Sequence, residues 1–206
     1  MSARPRLLVS ALAIPALLSL SCSSSKQAAK SEPAPTEFKA RLQTTKGDVV
    51  VLVHRDWSPI GADHFYELTK MRFYNDNAFF RTVPGFIVQW GIDGDPKVNG
   101  DWSKITIKDD PPKVSNKVGT VVFAKTGEPD SRSTQLFINL GDNSASLDPQ
   151  GFTPFGEVIQ GMDTVMKINM EYGEQPSQAA IADIGNPYLE EHFPRLDYVK
   201  KTTILP

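Results

Sequence analysis

The chain has 206 residues, of which 40% are hydrophobic and 22% are charged, and its formal net charge at pH 7 is −2. This composition is typical of a globular protein that can bury one substantial core, and the slightly acidic balance argues against nucleic acid as a partner. Because Cys22 is the single cysteine, an intramolecular disulfide and a multi-cysteine metal site are excluded.

The N-terminus has the pattern of a secretory signal. Arg4 and Arg6 precede an apolar run from Leu7 to Leu20, and a polar serine-rich tract follows. The run is shorter than the roughly 18 to 20 apolar residues of a membrane-spanning helix, and Pro15 interrupts it. We therefore interpret residues 1–21 as the signal peptide of an exported, periplasmic or cell-envelope protein.

Cys22 directly follows this apolar segment and a small residue, a position that resembles the cleavage site of bacterial lipoproteins. Ser19 departs from that pattern, which usually has leucine there. The pattern predicts a lipid anchor on Cys22 as the only membrane contact, with an unmodified cysteine in a soluble secreted protein as the alternative. Cleavage would leave a net charge of about −4, and residues 22–36 have too little apolar content to fold, which favours a flexible tether.

The folded part is predicted to begin as a β-hairpin. Strands at Phe38–Thr44 and Val49–His54 flank the turn residues Lys46-Gly47-Asp48. Further short β-rich runs are bounded by Gly, Pro, Asn and Asp clusters. They are Ala78–Arg81, Phe86–Trp90, Gly119–Phe123, Gln135–Asn139, Phe155–Ile159 and a closing strand within Leu196–Leu205.

Two helices are predicted among these strands. Ser58 and Pro59 provide an N-cap and a first-turn proline for a helix from about Pro59 to Met71, and a second helix covers Met162–Met170. Val98 to Val114 is predicted to be a surface loop and strand. Many short strands with two helices favour a closed β-barrel whose ends the helices cover, formed by one domain over residues 37–206.

The stretch Phe79–Gly91 sets one arginine and one glutamine among apolar and aromatic residues, with a Pro-Gly corner between them. An arginine is rarely buried without a partner, so this pattern indicates that Arg81 points into a cleft. By itself, the residue could equally pair on the surface with an acidic neighbour such as Asp76 or Glu157.

Four motifs occur in order, namely FFRTVPGFIVQWG, VGTVVFAKTG, STQLFINLGDN and LDPQGFTPFGEVIQGMD. Together they resemble the cyclophilin-type peptidyl-prolyl isomerases over nearly the whole chain from Phe38 onward. The segments YGEQPSQ, GNPYL and FPRLDYVKKTTIL are similar to the longer bacterial members of that family. The resemblance implies a mainly β fold, a closed eight-stranded antiparallel barrel capped by two helices, with a groove for proline-containing polypeptides, no cofactor and a monomeric state.

The resemblance also implies roles for individual residues. Arg81 stands at the position of the catalytic arginine. The implied substrate-binding residues are Phe86, Ile87, Gln89, Ala124, Gln135, Phe137, Leu147 and Phe152. Phe152 stands where the best-known relatives have histidine, and Ser146 replaces an aromatic residue of the drug-binding members, which implies weak cyclosporin binding.

Other interpretations of these residues remain open at this point. Apolar strand residues are usually core, and Gln89 and Gln135 could be solvated strand positions. A chaperone module that binds proline-containing segments without turnover, or a structural envelope lipoprotein, would also fit the exported class. His54, His64 and His192 lack the spacing of a zinc site and are expected to be surface or structural residues, so no metal is predicted.

Overall fold

A computed structural model of the protein describes residues 32–206. The predicted signal peptide, Cys22 and most of the predicted tether lie outside the described residues. The strands are β1 Glu37–Thr44, β2 Gly47–His54, β3 Asn77–Ala78, β4 Arg81–Val83, β5 Ile87–Trp90, β6 Thr120–Phe123, β7 Leu136–Asn139, β8 Pro154–Gln160 and β9 Tyr198–Leu205. The helices are α1 Pro59–Lys70, α2 Pro96–Trp102, α3 Ser144–Leu147, α4 Met162–Val165, α5 Gln178–Ile184 and α6 Asn186–His192, with a 3₁₀ turn at Asp148–Gln150.

The predicted hairpin is confirmed. β1 pairs with β2 in an antiparallel register that closes at Thr44 and Gly47. Gly47 has a φ of 128°, which a residue with a side chain rarely adopts, so the turn requires glycine there. On the core face, alternate residues of the two strands stand opposite one another and are buried, because side chains alternate across a strand. These pairs are Phe38 with Val53, Ala40 with Val51, and Leu42 with Val49.

The sheet is a curled half-barrel, and the prediction of a closed eight-stranded barrel is wrong. Nine antiparallel strands follow the order β3-β9-β1-β2-β8-β6-β7-β5-β4, and the described strands include no ladder between the two edges. Among the described strands, the edge strand β3 pairs with β9 alone and the edge strand β4 pairs with β5 alone, so the two edges do not meet. The donor on the outer edge of β4, the Thr82 N–H, instead bonds to Gly173 O at 3.0 Å.

The prediction of two helices is also wrong. The second predicted helix stops at Val165. The N–H groups of Lys167 and Ile168 bond to carbonyls three residues back, and the N–H of Asn169 leaves the helix and donates to a carboxylate oxygen of Asp197 at 2.7 Å. The C-terminal part of the chain contains α5 and α6, for which the sequence offered no clear pattern. Ser177 is the N-cap of α5, and its hydroxyl accepts a hydrogen bond from Ala180 N at 3.3 Å.

The N-terminus of α1 is capped by a distant residue. Ser58 makes no side-chain cap bond. The carboxylate of Asp110 instead accepts hydrogen bonds from Ile60 N at 3.1 Å, Gly61 N at 2.9 Å and the Ser58 hydroxyl at 2.5 Å. Arg132 Nη2 donates to the same carboxylate at 3.0 Å, and both charged residues are buried. The Val98 to Val114 segment, predicted to be a surface loop and strand, therefore supplies a buried acid that holds α1 in place.

Candidate active site

One cleft on the sheet brings together every predicted groove residue. It has a volume of about 440 Å³. Its lining residues are Arg81, Phe86, Ile87, Gln89, Ala124, Lys125, Thr126, Ser131, Ser133, Gln135, Phe137, Leu147, Gln150, Phe152 and Gln178. Arg81 and the eight residues expected to bind substrate are all in this set.

Strand register is the reason that these side chains meet. Arg81 of β4 stands opposite Gln89 of β5, and Gln89 stands opposite Phe137 of β7. Because directly opposed residues share one face of an antiparallel sheet, the three side chains form a row across the strands. The row places a cation, an amide and an aromatic ring side by side along the cleft.

The apolar part of the cleft is a cluster separate from the main core. Ile87, Val122, Phe137 and Leu147 are buried against one another, and partly buried Phe86, Ala124 and Phe152 pack onto them. The rings of Phe137 and Phe152 meet edge to face, with centroids 5.8 Å apart. A compact apolar patch bounded by aromatic rings suits a small, rigid aliphatic group such as a pyrrolidine ring.

The polar part of the cleft is a chain of hydrogen bonds. Arg81 Nη1 donates to Gln89 Oε1 at 3.1 Å, and Gln89 Nε2 donates to Gln135 Oε1 at 2.7 Å. Gln89 is 5% exposed, so its amide is held in one orientation by these two bonds and is not a solvated strand position. This series of hydrogen bonds ends at Gln135, whose amide nitrogen lies at the far end of the polar row from Arg81.

Arg81 both lines the cleft and pairs with an acid. The acid is Glu174, whose Oε1 lies 2.6 Å from Arg81 Nε and 2.5 Å from Nη2, and it is neither of the partners suggested by the sequence. The arginine side chain is 28% exposed, and its guanidinium lies 5.8 Å from the centroid of the Phe86 ring. The charge therefore stands at the boundary between the apolar patch and solvent.

The two aromatic residues at the rim are held by a buried amide network. Asn143 Nδ2 donates to Phe86 O at 2.8 Å, and Asn116 Nδ2 donates to Phe152 O at 2.8 Å. Asn139 joins them, accepting from Asn143 at 2.7 Å and donating to Asn116 at 3.1 Å. The network fixes the backbone at both ends of the apolar patch.

The family model described as cyclophilin type peptidyl-prolyl cis-trans isomerase/CLD matches residues 39–185. The chain belongs to this family. The cyclophilin-type assignment makes it a peptidyl-prolyl cis-trans isomerase, an enzyme class that interconverts the cis and trans forms of the bond before proline.

Peptidyl-prolyl cis-trans isomerases of other organisms are similar to the chain in sequence and in fold. A peptidyl-prolyl cis-trans isomerase of Acinetobacter baylyi is 34% identical over 131 residues, covering 62% of this chain and 69% of the relative. Peptidyl-prolyl cis-trans isomerase B of Escherichia coli is 34% identical over 134 residues, covering 62% of this chain and 81% of the relative. A Cryptosporidium parvum cyclophilin crystallised in the presence of the dipeptide Ala-Pro superimposes with a TM-score of 0.61 at 20% identity, covering 82% of this chain and 99% of that one.

Some cleft residues of this cyclophilin were not predicted from the sequence. Ser131, Ser133, Gln150 and Gln178 line the cleft. Ser133 and Gln150 lie within two of the quoted motifs, which could have pointed to them, whereas Ser131 and Gln178 lie outside all four. Gln178 comes from α5, in the part of the chain whose structure was ambiguous from the sequence. Only the packing of that helix places it in the wall.

The wall behind the cyclophilin cleft contains one buried histidine. His64 Nε2 lies 2.8 Å from Ser133 O, and burial lowers the pKa of His64 to about 4. The ring is therefore a neutral donor that supports the cleft wall at pH 7, which agrees with the structural role predicted for it.

Among residues 32–206, no group of three or more His, Cys, Asp or Glu side chains is arranged to hold a metal ion.

Proposed function

We propose that this isomerase binds X-Pro segments of polypeptides in the cleft and that Arg81 accelerates their cis/trans exchange without a cofactor. The observation that carries the proposal is the cross-strand row of Arg81, Gln89 and Phe137, which sets a permanent cation beside an apolar patch. Ile87, Phe137 and Leu147 would hold the proline ring, and the two glutamines would hold the peptide backbone.

The chemistry requires a hydrogen-bond donor and no nucleophile. Amide resonance sets a rotation barrier of about 18 to 20 kcal/mol. Rotation removes that conjugation, so the prolyl nitrogen becomes pyramidal and gains lone-pair density that neither planar isomer has. A donor aimed at this nitrogen stabilises the twisted state selectively, whereas an apolar pocket alone binds both isomers without speeding their exchange.

The guanidinium has donors left for this task. Its five N–H groups form a rigid fork that stays protonated. The Nε–H donates to Glu174 Oε1, Nη2 lies in ion-pair contact with that same oxygen, and one Nη1–H donates to Gln89. One N–H on each terminal nitrogen is then available to a substrate.

The proposal is tested by NMR exchange spectroscopy on a short Ala-Pro-Phe peptide with the purified protein. Uncatalysed cis/trans exchange takes tens to hundreds of seconds. We expect catalytic amounts of protein to make exchange much faster than this. A chaperone module would instead show saturable peptide binding with exchange at the buffer rate, and a structural envelope protein would show neither. Either of these results would contradict the proposal.

We further propose that the enzyme acts on exported or envelope proteins while anchored through a lipid on Cys22. The signal pattern at the N-terminus supports this proposal. Among the residues that the structure describes, none of the helices has the length and apolar character needed to cross a membrane.

Replacing Cys22 with alanine in a bacterial host should move the protein from the membrane fraction to the soluble envelope or medium fraction. Acylation needs the cysteine thiol, so the variant should lose the anchor while its isomerase activity stays unchanged. Fractionation followed by immunoblotting measures the shift. Unchanged membrane partition of the Cys22→Ala protein would show that no lipid is attached there.

A further inference from the structure

The segment Asn169–Gln175 covers the outer edge of β4 and delivers a carboxylate to Arg81. Thr82 donates two hydrogen bonds to the backbone of this segment. Its N–H donates to Gly173 O at 3.0 Å, and its hydroxyl donates to Asn169 O at 3.3 Å. Because Thr82 follows Arg81 directly in the chain, the segment is fixed to the strand that carries the arginine. Glu174 comes from 93 residues further along the chain.

The segment is also fixed to the rest of the domain. The side chain of Asn169 donates to Arg195 O at 2.9 Å. The carboxylate of Glu171 accepts hydrogen bonds from Nε and Nη2 of Arg195 at 2.7 and 2.9 Å. Within the segment, Gln175 N donates to Tyr172 O at 2.9 Å in a turn that passes through Gly173 at a φ of 55°. Glu174 therefore projects from an ordered turn.

Glu174 and Gln89 hold the guanidinium from opposite ends of its fork. Glu174 takes Nε and Nη2, and Gln89 takes Nη1. Two restraints of this kind fix the plane of the guanidinium as well as its position. We propose that Glu174 is a positioning residue for isomerisation, which fixes the Arg81 fork so that its remaining N–H groups stay in line with the prolyl nitrogen. This inference rests on the proposed role of Arg81.

Two effects of the carboxylate oppose each other. Its negative charge weakens the field of the guanidinium, whereas its hydrogen bonds remove the rotational freedom of a long side chain. The Glu174 side chain is 61% exposed, so water and salt screen its charge. Screening reduces the field of the carboxylate at a distance more than it reduces the Arg81 Nε hydrogen bond at 2.6 Å, so we expect positioning to outweigh the loss of field.

Replacing Glu174 with alanine should lower kcat/KM by about tenfold, since misplacement of a catalytic group is costly even when the group itself is intact. The loss should fall on kcat, because positioning is used in the twisted state, and KM should change little. Glu174→Gln keeps an acceptor oxygen and should retain more activity than alanine. In wild-type protein the ¹⁵N–¹H signal of Arg81 Nε should be protected from solvent exchange, and Glu174→Ala should remove that protection.

Glu190→Ala is a matched control, since it removes an exposed glutamate on α6 outside the cleft and should leave kcat/KM unchanged. Adding Glu174→Ala to an Arg81→Ala protein should cause no further loss. If Glu174→Ala is as active as wild type, or more active, the positioning role is wrong while the role of Arg81 stands. If Arg81→Ala retains full activity, the proposed function itself fails.

Discussion

Replacing Arg81 with alanine should lower kcat/KM for prolyl exchange by about 100- to 1,000-fold, the usual cost of removing one preorganised donor from a developing charge. The side chain supplies the only guanidinium among the described residues that line the cleft. Peptide binding should weaken far less, because the apolar cluster around Phe137 remains intact. Exchange spectroscopy and peptide titration on the same samples measure the two effects separately.

Arg81→Lys separates charge from geometry. A lysine keeps the positive charge but lacks the fork, and it cannot contact Glu174 and Gln89 at once in the observed geometry, so we expect most of the loss to remain. Arg41→Ala is a suitable control, since this half-exposed arginine of β1 pairs with Asp48 outside the cleft. Wild-type turnover by Arg81→Ala would contradict the proposed mechanism. A loss of activity counts as support when the variant melts at the wild-type temperature.

Replacing Asp110 with alanine should lower the free energy of unfolding by about 3 to 5 kcal/mol, because it leaves Arg132 buried without its closest acidic partner. The change also leaves two N–H groups at the start of α1 without their acceptor. Burial raises the pKa of Asp110, but the hydrogen bonds from Ser58, Gly61 and Ile60 and the charge of Arg132 outweigh it. The pKa is therefore lowered, and the carboxylate is ionised at pH 7. Urea denaturation at that pH measures the loss.

Two further variants test whether the buried charge of Arg132 causes the stability loss of Asp110→Ala. Asp101→Ala removes an exposed aspartate that pairs with Lys97 on α2, and it should change stability by less than about 0.5 kcal/mol. Adding Arg132→Met to Asp110→Ala should recover part of the loss, because the buried guanidinium, which would keep only the 3.4 Å ion pair with Asp109, is then absent. An Asp110→Ala protein within 1 kcal/mol of wild type would contradict this account, since losses near that size are ordinary for point variants.

The positions of the predicted strands were readable because strand signals are local. Alternating apolar residues in Phe38–Thr44 and Val49–His54 specify which face is buried, and the turn between them specifies the register. The cleft residues were selected through the family motifs, which are continuous in the chain. Sheet closure was mispredicted because the partner of an edge strand is set by distant segments, here Gly173 at the outer edge of β4. The helix at Met162–Met170 was overextended because the distant Asp197, which periodicity cannot reveal, accepts the N–H of Asn169 after the helical ladder has ended.

A mainly β domain of the cyclophilin family and nine residues of one cleft could be identified from the amino-acid sequence. Two contacts could not, namely the cap that Asp110 provides for α1 and the contact of Glu174 with Arg81, whose partners lie about 50 and 93 residues apart. The difference comes from the range of each signal. Periodicity and motifs report neighbours within a few residues, whereas the partner of a charged side chain depends on which distant segments pack against it.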